Sequence, residues 1–139
     1  MITSSRLSLF FIVLTTVLVG SMALGNITDY GVVINEIHYD PDVKTQLVEF
    51  VELHNTAAVD IDLSGWYFSR GISYRFEAGA TLPAGGYIIV PQNLFHIQAK
   101  WSTARLVIPA HLVFGPFEGK LSNNGENIEL RNAYGDEID

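Results

Sequence analysis

The chain has 139 residues, 48% of them hydrophobic and 17% charged, which is enough apolar content for one packed domain and too much for a disordered chain. Fifteen Asp and Glu against eight Lys and Arg leave a formal charge of −7, so the basic excess of a phosphate-binding surface is missing and nucleic acid is not an expected partner. With no cysteine, disulfide scaffolds, thiol catalysis and Cys-ligated zinc or iron–sulfur sites are excluded.

Met1 to Arg6 is short and polar with one positive charge, and Leu7 to Leu24 is an uncharged, almost wholly apolar run. Small residues follow at peptidase spacing, Ser21 with Ala23 or Ala23 with Gly25. This is the order of a secretory signal peptide, expected as a hydrophobic helix over residues 1–25, with a mature end at Leu24 or Asn26. The alternative is an uncleaved membrane anchor, since the run is near the lower length for a spanning helix. Export without disulfides leaves stability to the core, and roughly a hundred residues suffice for one. Asn26-Ile27-Thr28 fits a glycosylation acceptor but abuts the cleavage point.

Beyond Gly25 no long helical period occurs, and short runs rich in Val, Ile, Tyr and Phe alternate with turn residues. Strands are expected at Val32–Tyr39, Val48–Leu53, Val59–Leu63, Trp66–Ser69, Ile72–Phe76 and Tyr87–Val90. In the second, Val51 and Leu53 share one face while Phe50, Glu52 and His54 share the other. Leu82-Pro83-Ala84-Gly85-Gly86 is expected as a compact turn, and Leu94–Lys100 is the one stretch suited to a short helix. Leu106–Ile108, Leu112–Phe114 and Asn127–Arg131 complete the strands. This pattern predicts an all-β sandwich or barrel. After the turn Asn132-Ala133-Tyr134-Gly135-Asp136, the residues Glu137-Ile138-Asp139 begin another strand. The expectation is a fragment whose Asn127–Arg131 ladder lacks its partner; the alternative is an unusually short last strand.

Val33-Ile34-Asn35-Glu36-Ile37, Glu49-Phe50-Val51-Glu52-Leu53-His54-Asn55 and Asp62-Leu63-Ser64-Gly65-Trp66 form an ordered series of short motifs. Leu82-Pro83-Ala84-Gly85-Gly86-Tyr87, Gly115-Pro116-Phe117-Glu118-Gly119-Lys120-Leu121 and Asn124-Gly125-Glu126-Asn127-Ile128-Glu129-Leu130 continue it. Together they resemble a lamin-tail domain of the kind found in exported bacterial proteins, from Gly31 to Asp139. The resemblance implies an immunoglobulin-like β-sandwich at residues 31–139, with a family pattern that continues past Asp139. It also implies a non-enzymatic accessory role beside larger extracellular modules, on a protein or cell-surface partner. His54 stands where many relatives carry an aromatic residue or another side chain, so that position says little. Trp66 is expected in the core, Gly79, Gly85 and Gly86 in turns with positive φ, and Asn35, Glu52 and Asn55 in side-chain bonds that fix turns.

The sharpest chemical candidate is His38-Tyr39-Asp40-Pro41-Asp42 with Glu36, Glu49, Glu52 and His54 on nearby strands. Alternate histidines and carboxylates on one face could hold a hard cation, calcium before a catalytic metal, or activate water. Asp-Pro-Asp is also good turn chemistry by itself. His96 and His111 have no paired partner in sequence. No nucleophile elbow, phosphate loop or His-Glu-x-x-His occurs, so no catalytic, cofactor or metal residue is assigned and no cofactor is expected. A membrane contact is expected only through an uncleaved residue 1–25 segment. The rival reading is an accessory part or fragment of an extracellular metal-dependent hydrolase or nuclease.

Overall fold

The computed structural model describes residues 30–41, 46–103 and 108–139. The residue 1–25 helix, Asp42, and Leu106 and Val107 of one expected strand lie outside the described residues. Among the described residues eight strands appear, paired antiparallel: β1 (Val32–His38), β2 (Phe50–Asn55), β3 (Ile61–Asp62), β4 (Tyr67–Arg70), β5 (Tyr74–Arg75), β6 (Thr81–Leu82), β7 (Tyr87–Pro91) and β8 (Glu129–Arg131). One helix, α1 (Leu94–Thr103), follows β7, and a 3-10 turn spans Ala110–Leu112.

The sheets run in the orders β1-β2-β7, β3-β6 and β5-β4-β8. Strand β2 shows why: its exposure alternates at every residue, so Val51, Leu53 and Asn55 point inward while Phe50, Glu52 and His54 point away. Val51, Leu53, Ile88 and Val90 on one sheet pack with Leu63, Trp66, Phe68, Phe76, Leu82 and Leu130 in a single core. Trp66 is 7% exposed, as expected for the core. A smaller cluster of Val48, Ile89 and Ile97 lies under α1, bordered by Phe50 and Trp101. Ile97 and Trp101 sit four apart on the helix and so face the sheet together.

Several boundaries differ from the sequence reading. The helix runs on to Thr103, begun by Asn93, whose Oδ1 accepts the His96 N–H at 3.0 Å. The turn expected at Leu82 begins inside β6, which pairs Ile61 with Leu82. Val48 precedes β2 and packs under α1. The stretch at Leu112–Phe114 is a 3-10 turn followed by one parallel bridge, Val113 to Ile89. Gly79 and Gly85 take positive φ, 87° and 61°, but Gly86 does not. A side chain at Gly86 would sit 3.0 Å from the Pro83 carbonyl oxygen, so close approach, not handedness, requires glycine there.

The chain end is tied down. The Ile138 N–H donates to Leu130 O and the Leu130 N–H to Asp139 O, both at 2.8 Å, and Arg131 bridges Glu137. The ladder expected to lie open is therefore closed at Leu130 and Arg131.

Candidate functional site

The acidic and histidine cluster divides between two faces. Glu36 lies across from Glu52 in register, and Glu52 Oε1 accepts Asn35 Nδ2 at 2.7 Å. His38 stacks on Phe50 (5.1 Å, 12°) and His54 on Tyr87 (4.2 Å, 8°), so both imidazoles lie flat on rings. Glu49 has the inward parity of Val51 and Leu53. It is 3% exposed, and its Oε2 accepts the Leu121 N–H at 2.9 Å. Asp40 Oδ1 accepts Asn123 Nδ2 at 3.0 Å, and Asp42 lies outside the described residues. Among the described residues, no three of His, Asp and Glu are grouped to hold a metal ion. His96 takes the Leu47 N–H on Nδ1 at 2.9 Å, while His111 is exposed on the 3-10 turn.

The polar residues read as turn-fixing divide too. Asn55 is fully buried; its Nδ2 donates to Val59 O, Leu82 O and Pro83 O at 2.8–3.0 Å, and its Oδ1 accepts the Ala57 N–H at 2.8 Å. It joins β2 to the 82–86 turn. Asn35 and Glu52 bind each other instead.

Two features escaped the sequence reading. Glu49 belongs with Val51 and Leu53 by simple alternation, a signal that was present in the sequence. Asn132 organises the last hairpin: its Oδ1 accepts N–H groups from Tyr134 and Asp136, both at 2.9 Å, and its Nδ2 donates to Asp136 Oδ2 at 2.8 Å. The amide of Asn132 and then the hydroxyl of Tyr30 hold the Asp136 carboxyl below the usual carboxylate range. The Tyr30 hydroxyl is pushed up by that same bond. Beside them, the Ser69 hydroxyl and then Arg131 lower Glu129, with Arg70 Nε at 3.2 Å. An Asn followed by a glycine turn was the available signal for Asn132.

The surface offers two further features. A cavity of about 100 Å³ is lined by Asp40, Glu49, Gln92, Lys120 and Asn123, and Gln92 Oε1 is buried there without a partner. On the outer face of β1-β2-β7, α1 covers the Phe50 and Ile89 end, while Val33 (37%) and Tyr87 (46%) stay exposed at the other. This arrangement offers recognition surface and fixed turns, with Asn55, Glu49 and Asn132 engaged in holding the chain.

No curated protein matches the chain. A model of the Lamin Tail Domain family matches residues 28–139 and takes in every described element. The antiparallel sheets around one core agree with that family's non-catalytic immunoglobulin-like fold, and by this match the chain belongs to the lamin tail domain family.

Proposed function

We propose that the chain is an exported, non-enzymatic binding or accessory module of the bacterial extracytoplasmic type, which contacts a protein or cell-surface component. It sits outside the cell or at its surface, either free or beside further extracellular modules. The observation that carries this is the family match over residues 28–139, since a non-catalytic immunoglobulin-like fold is compatible with a binding or accessory role. Export is supported by the apolar run Leu7 to Leu24 with small residues after it.

The test is secretion of the full chain with N-terminal sequencing of the product. A secreted protein beginning at Leu24 or Asn26 supports the reading. Material that still begins at Met1 and stays with the membrane overturns the free exported form. The non-enzymatic part is tested by assaying the secreted protein for phosphodiester and ester hydrolysis with added divalent metals. Turnover lost on chelation would overturn it in favour of the hydrolase reading.

A further inference from the structure

We propose that the open end of the outer face of β1-β2-β7 recognises an exposed arginine of a protein partner, together with an apolar residue two positions from it in an extended segment. This rests on the binding-module reading above and names the partner chemistry.

Alternation along three paired strands sorts this face into rows. Val33, His54 and Tyr87 are in register and form one row, and Glu36, Glu52 and Ile89 form the next. Helix α1 lies over Ile89, and over Phe50 in the row beyond. The first row is left open, with Val33 37% and Tyr87 46% exposed. His54 stacks on Tyr87 at 4.2 Å and 8°, which holds both rings in place. The site is centred on β2, the middle strand of its sheet.

The second row carries an imbalance of charge. Glu36 and Glu52 stand directly opposite each other, where side chains leave the backbone only ~4.5–5.5 Å apart and like charges destabilise a sheet. Among the described residues the ion pairs join Arg70 and Arg131 to Glu129 and Glu137, and neither Glu36 nor Glu52 has one. What meets Glu52 is an amide: Asn35 Nδ2 donates to its Oε1 at 2.7 Å. Asn35 is the extra residue where the register shifts between Ile34 and Glu36. A neutral donor orients a carboxylate without cancelling its charge. The pair is thus held ready for a cation that this sheet does not supply.

The spacing selects which cation. Two opposed carboxylates are best met by a group that bonds both at once. A guanidinium has donors on two sides of a rigid fork, whereas an ammonium is a point charge. His54 lies two residues along β2 from Glu52, about 7 Å away, which is also the repeat of same-side residues in any extended chain. An arginine set on Glu36 and Glu52 therefore brings the side chain two positions away over Val33, His54 and Tyr87. Charge fixes the first contact and apolar cover the second.

The experiment uses the secreted protein, isotope-labelled for NMR, and a short blocked peptide with arginine and leucine separated by one glycine. Saturable binding should shift the amides of Glu36, Glu52, His54 and Tyr87, and it should weaken with salt. Replacing arginine in the peptide by citrulline, which keeps the shape and loses the charge, should abolish binding. Glu52→Gln and Glu36→Gln should each weaken it by about fivefold or more, the upper range for an exposed ion pair. Glu77→Gln, which removes the same charge from a distant turn, should leave it unchanged. Equal binding by the citrulline peptide, or equal losses in all three variants, would overturn the proposal. A lower urea midpoint in both Glu36→Gln and Glu52→Gln would make the two carboxylates structural and overturn it as well. Saturation of the same amides by calcium, with no response to peptide, would make this a metal site instead. Arg70 has a side chain 61% exposed; self-association abolished by Arg70→Ala would make the occupant a second copy, which also overturns the proposal. If the protein adheres to cell envelopes and Glu52→Gln changes nothing, the module reading stands and the arginine site falls. If it binds neither envelope nor peptide, both fall.

Discussion

Asn55 and Trp66 show what single residues do in this fold. Asn55→Ala removes a buried amide that holds Val59 O, Leu82 O and the Ala57 N–H and shares Pro83 O with the Gly86 N–H. The expected cost is at least about 3 kcal/mol, since each buried group left unpaired costs ~1–3 kcal/mol. Urea unfolding measures it, and a loss below ~1 kcal/mol would mean that the carbonyls find other donors. Trp66→Ala should cost about 3–5 kcal/mol through the cavity it leaves. Its place was legible in the sequence because a large aromatic follows Leu63-Ser64-Gly65, where Gly65 (φ 76°) makes the tight entry. Glu49 was harder to read. A carboxylate normally belongs at the surface, and the Leu121 N–H that meets it lies 72 positions away.

Among elements, strands of period two were the most legible. In β2 the side-chain pattern itself marks the buried face, whereas β7 is buried on both sides, Ile88 and Val90 in the main core and Ile89 under α1. Two-residue strands such as β3, β5 and β6 have no period to read, and their partners are chosen by tertiary contact. The acidic cluster failed as a unit for a related reason: nearness in sequence placed Glu49 and Glu52 together, and alternation put them on opposite faces. The last hairpin carries an acid-sensitive pair. Asp136 and Glu129 have lowered folded values, so their stabilisation is complete above the ordinary carboxylate range near about 4. It disappears as pH falls through the lowered folded values. The urea midpoint should therefore drop on strong acidification, and Asp136→Asn should flatten that slope; an unchanged slope would remove Asp136 from the account. Tyr30 acts on the alkaline side with the opposite sign. Its raised value gives a contribution that is full below the ordinary tyrosine range near about 10 and is lost as pH rises through the folded value.

For the whole molecule, stability rests on apolar burial, since there are no cysteines to cross-link it. The fold class was legible as a count of short strands with turns between. The order of strands in the sheets was not, because β8 joins β4 from far along the chain, Ser69 and Glu129 being 60 positions apart. Among the described residues the two apolar clusters differ in size: fifteen buried residues in the main one and three under α1. Each contains or borders one of the two tryptophans. Trp66 stands edge-on to Tyr30 at 6.3 Å, and Trp101 edge-on to Phe50 at 6.1 Å. The molecule thus carries a separate optical reporter for each layer. Trp66→Phe leaves the emission of Trp101 alone, and Trp101→Phe leaves that of Trp66. On heating, the Trp101 signal should move to the red before the Trp66 signal does, because a three-residue cluster holds its helix with less than the sandwich holds itself. Coincident curves would mean that helix and sheets melt as one cooperative body. Separate curves would make α1 a detachable shutter, whose release uncovers Phe50 and Ile89 while the rest of the domain stays folded.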